Sequence, residues 1–407
     1  MHADVCKFVN QGNHVFVVWD NFTGGIGNLA ALYTVPGGLK VWEQALTGGV
    51  SHNDRVWPAS DGDEWFYLRT QNSLDELSKW DLSGRLWVST RFQAQSDFRW
   101  CGGCKSDGSE TYTLAVDTTS PPNARQFHVF DGAADVPGSS LDVTLVAGTS
   151  AMDMAVSGDG AYVGVLDHSG KYAIHDIAGD SNVASGDAIW QLQMAHDPAQ
   201  TGAVACSSDG DEFLFVDEGP PYSVILYTAV KTTPVKTVLN LPQRPWTVAI
   251  AKDGSKAVVV TNDGTTFWPA SGFNGWPTIT VIDVPNKKIA LDSNGVPIQY
   301  VVGAGPGTAH GHVPFMAVSD DGSEICWQHY GSGTSYTSTP NYPNLFRAGT
   351  TTSTYNEVAT PALGYRCWYG DYDRSGGAHA AMAQYIAAAG PPHGHWGAGF
   401  VGLYELP

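Results

Sequence analysis

The stretch Val248-Ala-Ile-Ala-Lys-Asp-Gly-Ser-Lys-Ala-Val-Val-Val260 decides the fold of this chain. Two apolar runs flank an Asp-Gly pair. This pattern predicts two antiparallel strands joined by a tight turn, because Asp and Gly tolerate a positive φ. A third strand, Thr278–Asp283, and a fourth that begins at Lys288 are expected to follow. One repeat of the chain is therefore predicted to hold four short strands.

The same hairpin recurs along the chain, with turn glycines spaced by about 50 residues, which is the period of a repeat that holds one small sheet. Six copies are clear, and the first and last are weaker. The eight turn glycines are Gly12, Gly62, Gly108, Gly160, Gly210, Gly254, Gly322 and Gly376. Such repeats are typical of a β-propeller, whose blades pack on their neighbours and share a distributed core.

We therefore expect an all-β protein: one β-propeller domain over residues 1–407 with eight four-stranded blades. The expected blades are residues 4–46, 53–92, 97–147, 152–193, 202–240, 246–303, 312–360 and 364–407. The last repeat has no clear outer strand, so the ring is expected to close without a shared strand. The alternative is seven blades and a divergent C-terminal segment, because the Ala-rich residues 378–389 favour a helix.

Residues 251–262 and 279–283 resemble the blade of YVTN-type propellers, which occur in surface-layer proteins and in several propeller enzymes. The likeness extends over roughly residues 53–340. It implies a propeller fold and selects no activity, because one fold carries many functions.

Composition excludes several classes of protein. The chain has 21 Lys plus Arg against 40 Asp plus Glu, a net charge of −19, so nucleic acid is not an expected partner. The sequence contains no apolar window of about 18 residues, so it predicts no membrane span. The first residues lack the basic and apolar regions of a signal peptide, so we expect either no export by that route or a chain that begins after processing. The acidic composition favours an extracellular or cell-surface location.

Alignment on the turn glycines places Arg and Trp where the first strand of each repeat begins. Arg244-Pro-Trp246 and Arg366-Cys-Trp368 share one register, and a His takes the Arg position in two other repeats. The candidate binding residues are His52, Arg55, Arg99, Trp100, Arg244, Trp246, Arg366 and Trp368. In an acidic chain they predict a funnel for an anionic ligand. The alternative is that the Trp rings pack between blades and the Arg side chains pair with nearby carboxylates.

Histidines mark a second candidate site. His310-Gly-His312 precedes the first strand of the seventh repeat, and His393-Gly-His395 occupies the corresponding loop of the eighth. With His329 they predict a site for one transition metal, Zn, Mn or Cu. Two alternatives stay open. One is proton abstraction without a metal, with His312, Tyr330 and Tyr365 as catalytic candidates. The other is that the histidines are exposed residues of Gly-rich loops.

Three functions remain open at this point. The first is a lyase acting on a uronate-containing polysaccharide by β-elimination, similar to propeller lyases with an Arg/His/Tyr site. Arg244 and Arg366 would neutralise the carboxylate, and His312 or a Tyr would take the proton. The second is a non-catalytic propeller that binds glycan or protein, and the third is a metal-dependent oxidoreductase. The expected partner is an anionic glycan or another small anion, with protein partners on the propeller face left open.

Overall fold

The structure is a computed structural model, and it is built of β-strands joined by turns. The described residues are 2–20, 28–46, 55–70, 75–89, 102–116, 125–131, 137–141, 151–167, 170–188, 202–262, 278–301, 315–330, 343–359, 365–377, 379–387 and 396–406. They contain no helix, so the prediction of an all-β protein is confirmed. It follows that no helix in these ranges is long and apolar enough to cross a membrane.

The first four sheets are antiparallel meanders in which each strand pairs with the next strand in the chain. Their strands are β1 (His2–Val9), β2 (His14–Asp20), β3 (Asn28–Thr34) and β4 (Lys40–Leu46) in sheet 1; β5 (Arg55–Pro58), β6 (Trp65–Thr70), β7 (Asp75–Asp81) and β8 (Gly84–Ser89) in sheet 2; β9 (Gly102–Cys104), β10 (Glu110–Val116), β11 (Arg125–Asp131) and β12 (Pro137–Leu141) in sheet 3; and β13 (Ala151–Val156), β14 (Tyr162–Asp167), β15 (Lys171–Asp176) and β16 (Ser181–Asp187) in sheet 4.

The other four sheets repeat this order, with two variations. Their strands are β17 (Val204–Cys206), β18 (Phe213–Asp217), β19 (Ser223–Thr228) and β20 (Val235–Asn240) in sheet 5; β21 (Arg244–Ile250), β22 (Lys256–Asn262), β23 (Thr278–Asp283), β24 (Lys288–Ile289) and β25 (Gln299–Val301) in sheet 6; β26 (Phe315–Val318), β27 (Glu324–Tyr330), β28 (Pro343–Gly349) and β29 (Tyr355–Ala359) in sheet 7; and β30 (Tyr365–Tyr372), β31 (His379–Ala387) and β32 (Trp396–Glu405) in sheet 8. In sheet 6, β24 and β25 both pair with β23.

The Asp-Gly turns have the geometry that the sequence predicts. Gly254 has a φ of +72°, and its N–H donates to the Ala251 carbonyl oxygen at 3.0 Å. The Asp253 carboxylate accepts a hydrogen bond from the Ser255 N–H at 2.8 Å. A side-chain acceptor and a residue at positive φ are what a tight hairpin needs, which explains why this pair recurs between the first two strands of a sheet.

Consecutive sheets touch through their first strands. β1, β5, β9, β13, β17, β21, β26 and β30 contact one another in that order, and β30 also contacts β1. Apolar clusters lie between neighbouring sheets: one joins sheets 4, 5 and 6, another joins sheets 6 and 7, and a third joins sheets 8, 1 and 2. The core is therefore distributed around the closed series of first strands.

Among the described residues, sheet 8 consists of β30, β31 and β32, all from the C-terminal part of the chain, and it meets sheet 1 without exchanging a strand. Buried Lys7 pairs with buried Asp371 at 3.2 Å, and the Phe8 N–H donates to the same carboxylate at 2.8 Å. The Ala-rich segment that favours a helix in the sequence is strand β31, so that expectation is wrong. Ala380 and Ala381 are fully buried, on the sheet 7 and sheet 1 sides respectively. Packing on both sides outweighs the helix propensity of Ala.

Candidate functional site

The two ends of the sheets differ in their connections. At one end, here called the turn end, lie the connections from first to second strand and from third to fourth. At the other, here called the loop end, lie the connections from second to third strand and from one sheet to the next. The turn-end connections are all short. The longest connections between described strands, which are 90–101, 188–203, 263–277, 302–314 and 331–342, all belong to the loop end.

The turn end is closed by hydrogen bonds between successive sheets. In order, the bonds run from Asp61 N to Ser106 O, Ser106 N to Gly158 O, Gly158 N to Ser208 O, Ser208 N to Lys252 O, Asp253 N to Asp320 O, Asp320 N to Arg374 O, Ser375 Oγ to Gln11 O, and Gln11 Nε2 to Asp61 O. The last bond returns to the turn at which the series begins. We call this closed series the turn ring.

Side chains fill the centre of the turn ring. Lys252 of sheet 6 forms an ion pair with Asp61 of sheet 2, its opposite member in the ring. The hydroxyls of Ser106 and Ser208 lie 3.3 Å apart across Gly158, where a Cβ would collide with both. Burial raises the pKa of Asp320 nearby, although Arg374 and Lys252 oppose that rise. Side chains from several sheets therefore meet inside the turn ring.

Arg244, a predicted anion ligand at the loop end, is bound within the protein. Its Nε donates to Glu218 Oε2 at 2.7 Å, and its Nη2 contacts the same oxygen. The Glu218 side chain is only 3% exposed. This arrangement matches the alternative in which Arg pairs with a neighbouring carboxylate, because two of its donors are already used.

Arg55, a second predicted ligand, lies near a carboxylate that the sequence analysis did not single out. Asp153 accepts hydrogen bonds from the backbone N–H groups of Val204, at 2.8 Å, Ala203 and Met154. Burial raises the pKa of Asp153 to about 7, against the lowering effect of these bonds and of Arg55. Asp153 thus links sheets 4 and 5 at the loop end and carries a proton that is labile near neutral pH.

First strands carry β-bulges at the position where the sequence places Trp246 and Trp368. The pairing registers skip one residue in β1, β13, β21 and β30, and the skipped residues are Asp4, Met152, Trp246 and Trp368. Each lies eight residues before its turn glycine. A bulge bends a strand and redirects a side chain, and bulges are common beside functional sites.

The other predicted residues fall into two groups. Strands place the backbone of His329, Tyr330, Tyr365, Arg366 and Trp368 at the loop end, where β27 finishes and β30 begins. The remaining candidates lie outside the described residues: His52, Arg99, Trp100, His310, His312, His393 and His395. Within the described ranges, no group of three or more His, Cys, Asp or Glu side chains could hold a metal ion. The histidine metal site therefore stays a prediction.

Three residues were missed by the sequence analysis: Asp153, Glu218 and Arg69. Asp153 lies one position after the bulge of β13, so an alignment that allowed for the bulge would have found it. Glu218 directly follows β18, and Arg69 lies near the end of β6. The alignment on the turn glycines could not find Glu218 and Arg69, because it compared only the first strands of the repeats and these two residues lie at the ends of second strands.

Comparisons with known proteins give no family assignment. No model of a known protein family matches the chain, and no curated protein matches it. The function must therefore be argued from the geometry of the two ends.

Proposed function

We propose that the eight sheets are the blades of an eight-bladed β-propeller of the YVTN type. The unbroken series of contacts from β1 to β30 and back to β1 supports a closed ring of blades. The turn ring supports the number eight, because every sheet supplies one turn that both donates and accepts a hydrogen bond. Ring closure through packed blades is the usual way in which propellers protect their strand edges.

We propose further that this propeller binds carbohydrate at its loop end. The observation that carries this proposal is the separation of the connections: short turns join the strands at one end, and every long connection starts and finishes at strand ends on the other. A rigid scaffold that presents loops of varied length on one side is the usual arrangement of a binding site.

The composition of these connections favours a sugar. Residues 302–314 and 331–342 contain no Asp, Glu, Lys or Arg; the first is rich in Gly, and the second is rich in Gly, Ser and Thr. Residues 263–277 carry Trp268 and Trp276. Aromatic faces supply contact area and small polar groups supply adaptable hydrogen bonds, a combination that suits the apolar faces and hydroxyls of sugar rings. The extracellular location expected from the sequence agrees with such a ligand and stays a prediction.

A glycan array probed with the full-length protein tests this proposal, followed by calorimetric titration of any glycan that binds. We expect saturable binding that falls at least tenfold in the variant Trp268→Ala/Trp276→Ala, with an unchanged Tm. The control Asp61→Asn, at the turn end, should bind as the wild type does. Absence of binding to every glycan, or full affinity in the double variant, would overturn the proposal.

A uronate lyase is a second candidate, favoured by the site of Asp153. A carboxyl group with a pKa of about 7 near an Arg suits proton transfer on an acidic sugar. His312, Tyr330 and Tyr365 stay the other predicted proton acceptors. Elimination creates a carbon–carbon double bond that absorbs ultraviolet light. We expect this absorbance to grow when the protein is mixed with uronate polysaccharides and to be lost in Asp153→Asn. No growth on any such substrate would exclude the lyase.

A further inference from the structure

Arg69 is a fully buried guanidinium with unused hydrogen-bond donors. It lies near the end of β6, at the loop end of sheet 2. Its Nη2 donates to Glu76 Oε2 at 2.6 Å, and its side chain is 0% exposed. In the part of the chain that the structure describes, its Nε and Nη1 have no hydrogen-bond partner, and neither has Glu76 Oε1. A buried charged donor without a partner is costly and calls for a ligand or another polar group.

Two other Arg–Glu pairs show that this arrangement is unusual for the protein. Arg244 directs both Nε and Nη2 to Glu218, and Arg347 directs both Nε and Nη2 to Glu324. In both pairs the carboxylate occupies one side of the guanidinium. In the Arg69 pair, Glu76 binds a single nitrogen of the guanidinium group, so the other N–H groups of Arg69 remain for another acceptor.

The charge around Glu76 is unbalanced. Arg85 Nη1 lies 3.7 Å from Glu76 Oε1, so two guanidinium groups face one carboxylate. The Arg85 side chain is 25% exposed and lies over the Trp80 ring, at 5.7 Å from its centre, so the cluster reaches solvent along β8, the fourth strand of sheet 2. A local excess of one positive charge in a chain of net charge −19 favours an anion at this point.

Two members of the cluster, Arg69 and Glu76, lie toward the loop end, whereas Arg85 reaches Glu76 from the start of β8. Arg69 and Glu76 are direct partners in the pairing of β6 with β7, and both lie beside the connection between these strands. Arg69 shares its face of the sheet with Trp65 and Tyr67, which pack against sheet 1. The unused donors therefore lie on the side of sheet 2 that faces sheet 1.

We propose that Arg69 binds the acidic group, a carboxylate or a sulfate, of a sugar at the loop end, between sheets 1 and 2. The guanidinium fork supplies donors for the acid oxygens, and Glu76 Oε1 accepts a hydrogen bond from a hydroxyl beside the acid group. A uronate or sulfated sugar carries both groups, whereas a simple anion carries only acceptors. This inference rests on the proposed carbohydrate site and names its ligand class.

Thermal unfolding and calorimetric titration with four probes test the inference. The probes are sodium glucuronate, sodium sulfate, glucose and sodium chloride, at matched ionic strength. We expect glucuronate to bind saturably and to raise Tm, sulfate to do so more weakly, and glucose and chloride to have no saturable effect. The lysine variant Arg69→Lys keeps the charge but loses the fork, so its glucuronate affinity should fall at least tenfold.

Removing Arg69 alone would leave Glu76 buried without its partner, so the decisive variant is Arg69→Gln/Glu76→Gln. It should lose the glucuronate response, whereas the matched variant Arg347→Gln/Glu324→Gln, at the turn end, should keep it. A response that persists in the first variant, or no glucuronate response in the wild type, overturns the inference. Binding of neutral glycans on the array without a glucuronate response would leave the carbohydrate proposal standing while overturning the role of Arg69. A glucuronate response with no glycan bound on the array would support the role of Arg69 and overturn the role of Trp268 and Trp276.

Discussion

The turn end and the loop end are built from the same strands and yet obey different rules. At the turn end, backbone groups of neighbouring turns bond to each other, and the same short pattern serves almost every sheet. At the loop end, contacts between sheets use individual side chains such as Asp153, Glu218 and Arg244. Repeated turns therefore hold the sheets together at the turn end, whereas the residues at the loop end can differ from sheet to sheet.

The seam between sheets 8 and 1 is the place where the scaffold is easiest to break. Replacing Lys7 with Met should lower the free energy of unfolding by about 3–5 kcal/mol, because it leaves the buried carboxylate of Asp371 without its cation. Urea unfolding monitored by tryptophan fluorescence measures this change. The double variant Lys7→Met/Asp371→Asn should recover much of the loss. Equal stability of Lys7→Met and wild type would show that the seam does not depend on this pair.

The Arg244–Glu218 pair tests whether the loop end also contributes to stability. Arg244→Gln should cost about 2–3 kcal/mol, less than the seam variant because Arg244 is partly exposed. Adding Glu218→Gln to this variant should restore most of the lost free energy of unfolding. Both variants are then titrated with the glycan found on the array. Full recovery of stability with full affinity fits an internal pairing role. A loss of affinity in the restored double variant would instead support the anion funnel predicted from the sequence.

Gly158 tests how tightly the turn ring is packed. Gly158→Ala should destabilise the protein by about 1–3 kcal/mol, because the new methyl group overpacks the space held by the Ser106 and Ser208 hydroxyls. Removing those hydroxyls in the triple variant with Ser106→Ala and Ser208→Ala should recover part of the loss. Chemical unfolding of the three proteins gives the answer. If Gly158→Ala left the stability unchanged, the turn ring would have free space beside Gly158, and the two ends would not differ in packing as described.

Asp153 predicts a dependence on pH that belongs to the loop end. Its pKa is about 7 in the folded protein, whereas it is about 4 in an unfolded chain. The folded state therefore holds the proton more tightly, and this contribution to stability is full below about pH 4 and is lost as the pH rises to about 7. In Asp153→Asn, the stability difference between pH 5 and pH 7.5 should shrink by about 2–3 kcal/mol. An unchanged pH profile would contradict the shift.

Much of the scaffold was predictable, because each hairpin is encoded locally. An Asp-Gly pair between two apolar runs specifies both strands and the turn, as at Gly254, and the structure has a first and a second strand on either side of each such turn. The equivalent positions of the Arg and Trp residues were predictable too, because they lie at a fixed distance before the turn glycine of the same hairpin. The bulges that occupy the register of Trp246 and Trp368 were not predicted, since pairing irregularities depend on the neighbouring strand.

The errors and omissions arise where distant residues meet. A helix over the Ala-rich residues is the alternative that the sequence leaves open, because propensity describes a segment in isolation, whereas sheets 7 and 1 pack on the two faces of strand β31. Arg244 stays a predicted ligand residue, and its pairing with Glu218 could not be read from the sequence because Glu218 belongs to another sheet. Arg69 drew no attention because its unused donors become visible only when its surroundings are known.

By itself, the sequence determined the strand-turn-strand unit, its repetition and the all-β class, because those depend on residues a few positions apart. Only the tertiary structure decided which ionic groups are paired within the protein and which keep unused donors. It also decided that the turns bond into a closed ring. These outcomes depend on contacts between sheets, and burial turns a charge that costs little in water into one that must find a partner.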